Sequence, residues 1–269
     1  MALFHDLTET REYFVDVALQ AGDILKAHFG SKTIKTTDKS GVDFTTQADI
    51  ETDSFIQRLV KERYPEALLL TEETAPSDYS SLVNAENLVV VDPLDGTTNF
   101  SRVDPYFAIS IALVEFGKPK VGVVYLPKKE ELYWAQSDHD SAVYNDNPIR
   151  VSETNNLKKS VVTCAWSWDL AKRDEMYKLL GNIYPNVRAF ITKGSAAAEL
   201  AGLARGDIDI FCIPGLKPWD IAAAALFVEK AGGKITRPDG GDWNVFEPDI
   251  LATNGVLHDR VLELLNKND

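Results

Sequence analysis

Two aspartates three residues apart, Asp92 and Asp95, are the side chains of this sequence best placed to do chemistry. They follow the apolar, β-branched run Asn87–Val91, which is typical of a buried strand. Carboxylates at a strand end are costly without a partner, and hard divalent cations prefer such oxygens. Gly96 lets the backbone approach a ligand, and Thr97 can begin a helix whose amides face a phosphate. The alternative is an ordinary Asp-Gly turn.

Two further acids lie at predicted junctions of the same kind. Glu72 follows the predicted strand Ala67–Leu70, and Asp220 stands at the start of the predicted helix Ile221–Ala231, which it could instead simply cap. Four acids at strand ends or helix starts can converge on one pocket; they are Glu72, Asp92, Asp95 and Asp220. No histidine ligand is evident, so all-oxygen ligation points to Mg²⁺, with a substrate phosphate completing the shell.

A third feature is Lys193-Gly194-Ser195, between a predicted strand and an alanine-rich helix. Backbone amides at such a junction can meet an anion, and a routine tight turn is the alternative. Asp49, in turn, falls in the first turn of the predicted second helix, where the helix dipole alone is a sufficient reason for a carboxylate.

The composition bounds the class of protein. The chain has 269 residues, is 45% hydrophobic and carries a net charge of −13, which argues against a general nucleic-acid binder. We find neither a signal peptide at the N-terminus nor an apolar run long enough for a membrane span, and expect a cytoplasmic protein. Cys164 and Cys212 lie far apart in apolar runs, which predicts buried, reduced thiols and no zinc site.

The elements that must position these residues change character near residue 150. Residues 1–150 read as an α+β half, with two helices and an antiparallel meander of strands between Phe107 and Tyr144. Residues 151–269 alternate strand and helix, which indicates a mixed or parallel sheet in an α/β half. Between the first two helices, Ser31–Gly41 is polar; we expect a solvated loop, with a flap over the site as the alternative.

The sequence resembles the inositol monophosphatase family over essentially its whole length. The matching motifs, in order, are Glu72-Glu73, Asp92-Pro-Leu-Asp-Gly-Thr-Thr-Asn-Phe and Trp219-Asp220-Ile-Ala-Ala. The resemblance implies a five-layer α-β-α-β-α fold, a homodimer, and Mg²⁺-dependent, lithium-sensitive hydrolysis of phosphomonoesters by water, without a covalent intermediate.

The resemblance also assigns roles to residues. Glu72, Asp92 and the Leu94 carbonyl would hold the first metal, Asp92, Asp95 and Asp220 the second, and Glu72 would contribute to a third. Asp49 and Thr97 would orient and deprotonate the attacking water beside Glu72. The Gly96 and Thr97 amides would bind phosphate, while Gly194 and Ser195 would line the alcohol side. Substrate binding is thereby implied for Asp95, Gly96, Thr97, Gly194, Ser195 and Asp220.

The substrate is where the sequence departs from the family. Family members that act on inositol phosphates often carry an acid seven residues before the Trp-Asp aspartate, and here that position is Ile213. Three cations near the expected alcohol side, Arg188, Lys193 and Lys217, would suit a second phosphate, as in fructose 1,6-bisphosphate or NADP, unless they are plain surface charge. Histidinol phosphate is a further, less favoured family substrate.

Two other classes compete with this interpretation. Haloacid-dehalogenase-like phosphatases also place Asp-Gly-Thr after a strand, but with one residue between the acids, whereas Pro93 and Leu94 intervene here. A non-catalytic metal-binding regulator should have lost one of the key side chains, yet Asp49, Glu72, Asp95 and Thr97 are all present.

Overall fold

The computed structural model describes residues 3–31, 35–39, 44–164 and 170–266. The helices are α1 Leu7–His28, α2 Gln47–Arg63, α3 Thr97–Ser101, α4 Leu170–Ile183, α5 Ala196–Arg205, α6 Pro218–Lys230 and α7 His258–Leu265. The strands are β1 Thr36–Asp38, β2 Phe44–Thr46, β3 Leu68–Thr71, β4 Leu88–Asp95, β5 Ala108–Glu115, β6 Lys118–Leu126, β7 Glu131–Gln136, β8 Ala142–Tyr144, β9 Asn147–Ile149, β10 Val161–Thr163, β11 Ala189–Ile191, β12 Ile210–Ile213, β13 Lys234–Thr236 and β14 Ile250–Thr253.

The larger sheet has the order β3-β4-β5-β6-β7-β8-β9. From β4 to β9 every pair is antiparallel, which confirms the predicted meander, whereas β3 runs parallel to β4. Because β3 and β4 are parallel, their carboxyl ends meet at one edge of the sheet. Glu72, directly after β3, is thereby brought to the edge where Asp92 and Asp95 end β4.

The smaller sheet is mixed, with the order β11-β10-β12-β14-β13. β10 pairs in parallel with β11 and β12, whereas β14 is antiparallel to both its neighbours. This arrangement agrees with the alternation of strand and helix in the second half of the sequence. Cys212 is buried in β12, but Cys164 lies just past β10 and is only half-buried, so the prediction of two buried thiols was half right.

The described residues form five layers. One face of the larger sheet packs its apolar side chains against α1 and α2, and the other face packs against α5 and α6. The smaller sheet contributes to the same core as α5 and α6 and buries its other face with α4 and α7. These layers confirm the expected α-β-α-β-α architecture. None of the described helices combines the length and the apolar character needed to cross a membrane.

The polar stretch Ser31–Gly41 is described only in part. Its described portion contains a short strand rather than only loop, since Thr36–Asp38 forms β1 and pairs antiparallel with β2. The remainder of this stretch, residues 32–34 and 40–41, lies outside the described residues, so the flap interpretation stays a prediction.

Candidate active site

A β-bulge puts the two aspartates of the opening motif on one face of β4. Asp92 pairs with Ser110 and Asp95 with Ala108, so three steps along β4 oppose two along β5. In a regular strand, side chains alternate between faces, and residues three apart would point in opposite directions. The extra residue restores the same face. β4 also continues through Asp95, so the acids lie within the strand and not in a loop after it, as the sequence had suggested.

The four predicted ligand carboxylates lie close enough to affect one another's ionisation. Asp92 is 1% exposed, and burial, followed by the charges of Glu72, Asp95 and Asp220, raises its pKa well above the usual range. The described residues supply Asp92 with no cationic partner; its Oδ1 accepts a hydrogen bond from the Leu94 amide at 3.0 Å. Such a concentration of buried negative charge calls for a cation.

Glu72 begins the 3₁₀ turn Glu72–Thr74 that follows β3. Burial raises its pKa to about 7, and the nearby ammonium of Lys39 opposes that rise. Lys39 Nζ lies 2.9 Å from Glu72 Oε1 and 2.8 Å from Glu73 Oε1, so one lysine bridges both glutamates. Sequence reasoning missed this lysine because no local pattern links residue 39 to residue 72.

Asp95 accepts hydrogen bonds from the first residues of α5 and from its N-cap. Its Oδ2 accepts from the Ser195 hydroxyl at 2.6 Å and from the Ala197 amide at 2.7 Å, and its Oδ1 accepts from the Ala196 amide at 3.2 Å. Burial raises the Asp95 pKa to about 6, and these hydrogen bonds counteract the rise. Ser195 caps α5 and is fully buried, so its hydroxyl faces Asp95 and not solvent.

Asp220 occupies the third position of α6 and does not precede the helix, because α6 begins at Pro218. Its Oδ2 accepts from the Lys217 amide at 2.8 Å, so it does cap the first turn. Burial and the charge of Asp95 raise its pKa well above the usual range. Tyr79 packs edge-on against Trp219, with ring centroids 6.1 Å apart. Burial raises the pKa of Tyr79, and the nearby charge of Asp220 adds to the rise.

Asp49 and Thr97 are joined directly. Thr46 caps α2, its backbone N–H donates to Asp49 Oδ2 at 2.9 Å, and its hydroxyl donates to the same oxygen. The other oxygen, Oδ1, accepts from Thr97 Oγ1 at 3.0 Å, and that hydroxyl also lies 3.2 Å from the Leu94 carbonyl oxygen. Burial raises the pKa of Asp49 to about 6. The raised pKa makes Asp49 a stronger base than an aspartate exposed to solvent.

Gly96 and Gly194 bring the two binding loops together. Both have positive φ, +99° and +82°, which is the left-handed region that favours glycine. A Cβ on Gly96 would lie 3.1 Å from the Gly194 carbonyl oxygen, and one on Gly194 would lie 3.1 Å from the Asn99 side-chain amide. The backbone of the predicted phosphate loop (Gly96–Thr97) thus contacts that of the predicted alcohol-side loop (Lys193–Ser195).

The residues considered from the sequence for the alcohol side lie in different environments. Ile213 is 0% exposed within the core and pairs with Ile250, so it faces packed side chains and not open space. Lys193 Nζ lies 5.0 Å from the Tyr106 ring centroid. Lys217 and Arg188 are exposed, and neither pairs with a carboxylate from the described residues within salt-bridge distance.

The donor set fits a hard cation, although the side chains are not yet arranged around one. In the part of the chain that the structure describes, no three His, Cys, Asp or Glu side chains already surround a common point. The reason is visible in the contacts: Glu72 is paired with Lys39, and Asp95 and Asp220 accept from backbone amides. A divalent cation would have to displace Lys39, but its ligands would be the oxygens it prefers.

A cavity of about 600 Å³ lies away from these acids. It opens beside the C-terminal end of α6 and is lined by residues including Lys118, Ser137, Glu229, Lys230 and Trp243. Asp220 lies near the opposite, N-terminal end of the same helix. None of the predicted site residues lines this cavity, which therefore does not belong to the candidate active site.

Comparison with known proteins gives a consistent answer. The model of the inositol monophosphatase family matches residues 6–269. Inositol monophosphatase 3 of Solanum lycopersicum is 34% identical over 95% of this chain and 97% of its own length. A fructose-1,6-bisphosphatase/inositol-1-monophosphatase of Thermotoga maritima is 30% identical, with 95% of each chain covered. The crystal structure of extragenic suppressor protein suhB from Bartonella henselae superposes with a TM-score of 0.88, at 31% identity over 97% of this chain and 100% of that one.

The layered fold, the buried carboxylates at its strand ends and these relatives define a phosphoric monoester hydrolase. The family match spans nearly all of the sequence. The chain belongs to the inositol monophosphatase family.

Proposed function

We propose that this protein is a Mg²⁺-dependent phosphatase that hydrolyses inositol monophosphate or a related sugar or polyol phosphate by direct attack of water. The observation that carries the proposal is the hydrogen bond of 3.0 Å between Thr97 Oγ1 and Asp49 Oδ1, next to the buried Asp92 and Asp95. A polarised hydroxyl beside a carboxylate-rich pocket can activate water without an enzyme nucleophile.

The metal ligands in this proposal are Glu72, Asp92, the Leu94 carbonyl, Asp95 and Asp220, which would hold two or three ions. Bound there, the cations would lower the pKa of a water molecule and stabilise the oxygen that leaves with the alcohol. Their charge would also offset the repulsion that raises the pKa of Asp92.

Thr97 and Asp49 would accept the proton that the attacking water releases. Thr97 Oγ1 accepts a proton from the attacking water as it passes its own proton to Asp49 Oδ1. Glu72, in the turn after β3, orients the water from the other side. Thr46 fixes the Asp49 carboxylate through Oδ2, which leaves Oδ1 directed at Thr97. Asp49 is 1% exposed, so bulk water does not compete for the proton.

The substrate would lie across the contact between the two glycine loops. The Gly96 and Thr97 amides would bind the phosphate, with Asp95 and Asp220 beside it. Gly194 and Ser195 would define the alcohol side, and the short distance between Gly96 and Gly194 supports placing phosphate and alcohol next to each other.

A bisphosphorylated substrate is the second candidate. Lys193, in the alcohol-side loop, lies over the ring of Tyr106. Lys217 lies near Asp220, and its positive charge counteracts the rise in the pKa of that carboxyl group. One of the relatives bears the name fructose-1,6-bisphosphatase/inositol-1-monophosphatase. NADP is the other substrate of this kind, and histidinol phosphate has less support since no described feature favours its imidazole.

We further propose that the enzyme is inhibited by lithium and acts as a homodimer in the cytoplasm. In this proposal the chain is divided into two halves, residues 1–150 and 151–269. A non-catalytic regulator is disfavoured because Asp49 and Thr97 are both present and their side chains are hydrogen-bonded to each other.

A phosphate-release panel with and without Mg²⁺ tests this proposal. It compares inositol 1-phosphate, fructose 1,6-bisphosphate, NADP, histidinol phosphate and glycerol 2-phosphate at equal concentration. We expect Mg²⁺-dependent release, abolished by chelation, with inositol 1-phosphate or another polyol phosphate among the best substrates. Absence of release from every compound, or trapping of an aspartyl phosphate, would contradict it.

A further inference from the structure

Glu199 is a buried carboxylate to which the proposed reaction assigns no role. It lies in the first turn of α5 and is 2% exposed. Its Oε1 accepts two backbone hydrogen bonds, from the Lys193 and Gly194 amides, each at 2.7 Å. Glu199 Oε1 therefore fixes the backbone of the loop that precedes α5.

The same loop is also held by Asn99 of α3, the short helix that follows β4. Asn99 Nδ2 donates to the Lys193 carbonyl oxygen at 2.6 Å and to the Tyr106 carbonyl oxygen at 2.6 Å. The Lys193 carbonyl and the Gly194 amide belong to one planar peptide unit. Asn99 thus binds the carbonyl end of that unit, and Glu199 binds its N–H end.

Clamping this peptide at both ends determines its orientation about the chain. The next carbonyl, that of Gly194, faces Gly96 so closely that a Cβ there would lie 3.1 Å from it. The Gly194 Cα has equally little room, because a Cβ would lie 3.1 Å from the Asn99 amide group. Rotation of the peptide would move the alcohol-side loop relative to the phosphate loop.

We propose that Glu199 is a positioning residue that, with Asn99, sets the alignment of the alcohol-side loop on the phosphate loop, and so controls how well the alcohol part of the substrate binds. This inference rests on the proposed function for its kinetic consequence, but its structural part does not.

The chemistry of the contact explains which substitutions preserve it. Two N–H donors on one oxygen favour a carboxylate but can also be satisfied by an amide oxygen. Glu199 Oε2 has no hydrogen-bond partner within the described residues, so glutamine would lose no contact there. Leucine has a similar volume but no acceptor, and it would leave both buried amides without a partner.

The experiment compares Glu199→Gln and Glu199→Leu with wild type, and uses Glu229→Leu, an exposed glutamate at the far end of α6, as the matched control. Amide hydrogen exchange at Lys193 and Gly194 reports the clamp without any substrate. We expect exchange at these two amides to rise about tenfold or more in Glu199→Leu, because each loses its acceptor, and to stay near wild type in Glu199→Gln and Glu229→Leu.

Kinetics then test the consequence for the substrate. In Glu199→Leu we expect KM for a polyol phosphate to rise by about tenfold with kcat changed by less than about threefold, since only the alcohol side is displaced. For glycerol 2-phosphate, which offers a small alcohol, the rise in KM should be smaller. Glu199→Gln should restore both values.

Unchanged exchange at both amides in Glu199→Leu would overturn the proposal, as would an equal fall in kcat for large and small substrates. Should Glu199→Leu fail to fold, Glu199→Asp, whose side chain is one methylene shorter, must show the same effects in weaker form, and wild-type behaviour there would also overturn it. Failure of the proposed function is a different result, namely no turnover by wild type, and the exchange measurement is independent of it.

Discussion

Thr97 Oγ1 donates a hydrogen bond of 3.0 Å to Asp49 Oδ1, and this bond joins two segments 48 residues apart in the chain. Asp49 is held on α2 by Thr46, whereas Thr97 begins α3 directly after the left-handed Gly96. The contact links the helical layer that carries α2 to the strand edge that carries the predicted metal ligands.

Removal of the Thr97 hydroxyl should slow the proton-transfer step and therefore lower kcat. We expect Thr97→Ala to lower kcat by about 10² or more, as is usual when a group that relays a proton is lost, and Thr97→Ser to retain most activity. Steady-state kinetics with the best substrate of the panel provide the measurement. Thr98→Ala, in the adjacent residue, is the control. A Thr97→Ala enzyme as active as wild type would remove Thr97 from the reaction.

Substitution of Asp92 should abolish activity and at the same time stabilise the metal-free protein. Asp92→Asn removes a carboxylate whose ionised form is disfavoured by burial and by three neighbouring acids. We expect a higher Tm than wild type in the presence of a chelator, a smaller rise of Tm on addition of Mg²⁺, and almost no turnover. Differential scanning calorimetry and phosphate release measure these effects, with the exposed Asp146→Asn as control. Wild-type turnover at saturating Mg²⁺ would refute the assignment.

An acid at position 213 should be poorly tolerated. Ile213 is 0% exposed in β12, so Ile213→Glu would bury a carboxylate among apolar core side chains. We expect a loss of several kcal/mol in the free energy of unfolding, against about 1 kcal/mol for Ile213→Val. Urea denaturation measures both. If Ile213→Glu were instead stable and gained activity on inositol 1-phosphate, this side chain would face the substrate.

The stability of the second half of the chain should depend on pH through His258. Its ring nitrogens contact the Thr253 and Thr236 hydroxyls, both at 3.0 Å, and burial lowers its pKa to about 4. The folded-state pKa is below the unfolded value of about 6.5, so the neutral ring favours folding above pH 6.5, and that contribution is lost as the pH falls towards 4.

The matched variant is His258→Gln, which can still hydrogen-bond but does not titrate. We expect the stability advantage of wild type over this variant to shrink by about 1–2 kcal/mol between pH 7 and pH 4, in chemical denaturation at each pH. The difference cancels the contributions of the buried carboxylates, which are common to both proteins. A pH-independent difference would show that His258 does not titrate in this range.

Local patterns were sufficient for most of the secondary structure. The meander from β5 to β8 and the alternation of strand and helix after residue 150 follow from apolar periodicity and from the turn residues between the strands, whereas the short strands β9 and β13 were not predicted. Element ends were less predictable, as with α6, which begins at Pro218 and not at Ile221. Proline is well suited to the first turn of a helix, and its lack of an N–H costs nothing there.

The sequence by itself determined the family and the class of reaction. The types and order of Glu72, Asp92, Asp95 and Asp220, and the Gly-Thr pair after them, are readable without coordinates, and they place the chain in its family.

Tertiary structure alone decided how these groups meet. The bulge that turns Asp92 and Asp95 to one face depends on pairing with β5, and the contacts of Glu72 with Lys39, of Asp95 with Ser195 and of Glu199 with the Gly194 amide depend on packing between distant segments. Ile213, which stands where family members that act on inositol phosphates often carry an acid, is buried in the core. Spacing along a chain reports the face of a helix or strand, whereas the partner across that face is set by how the layers pack.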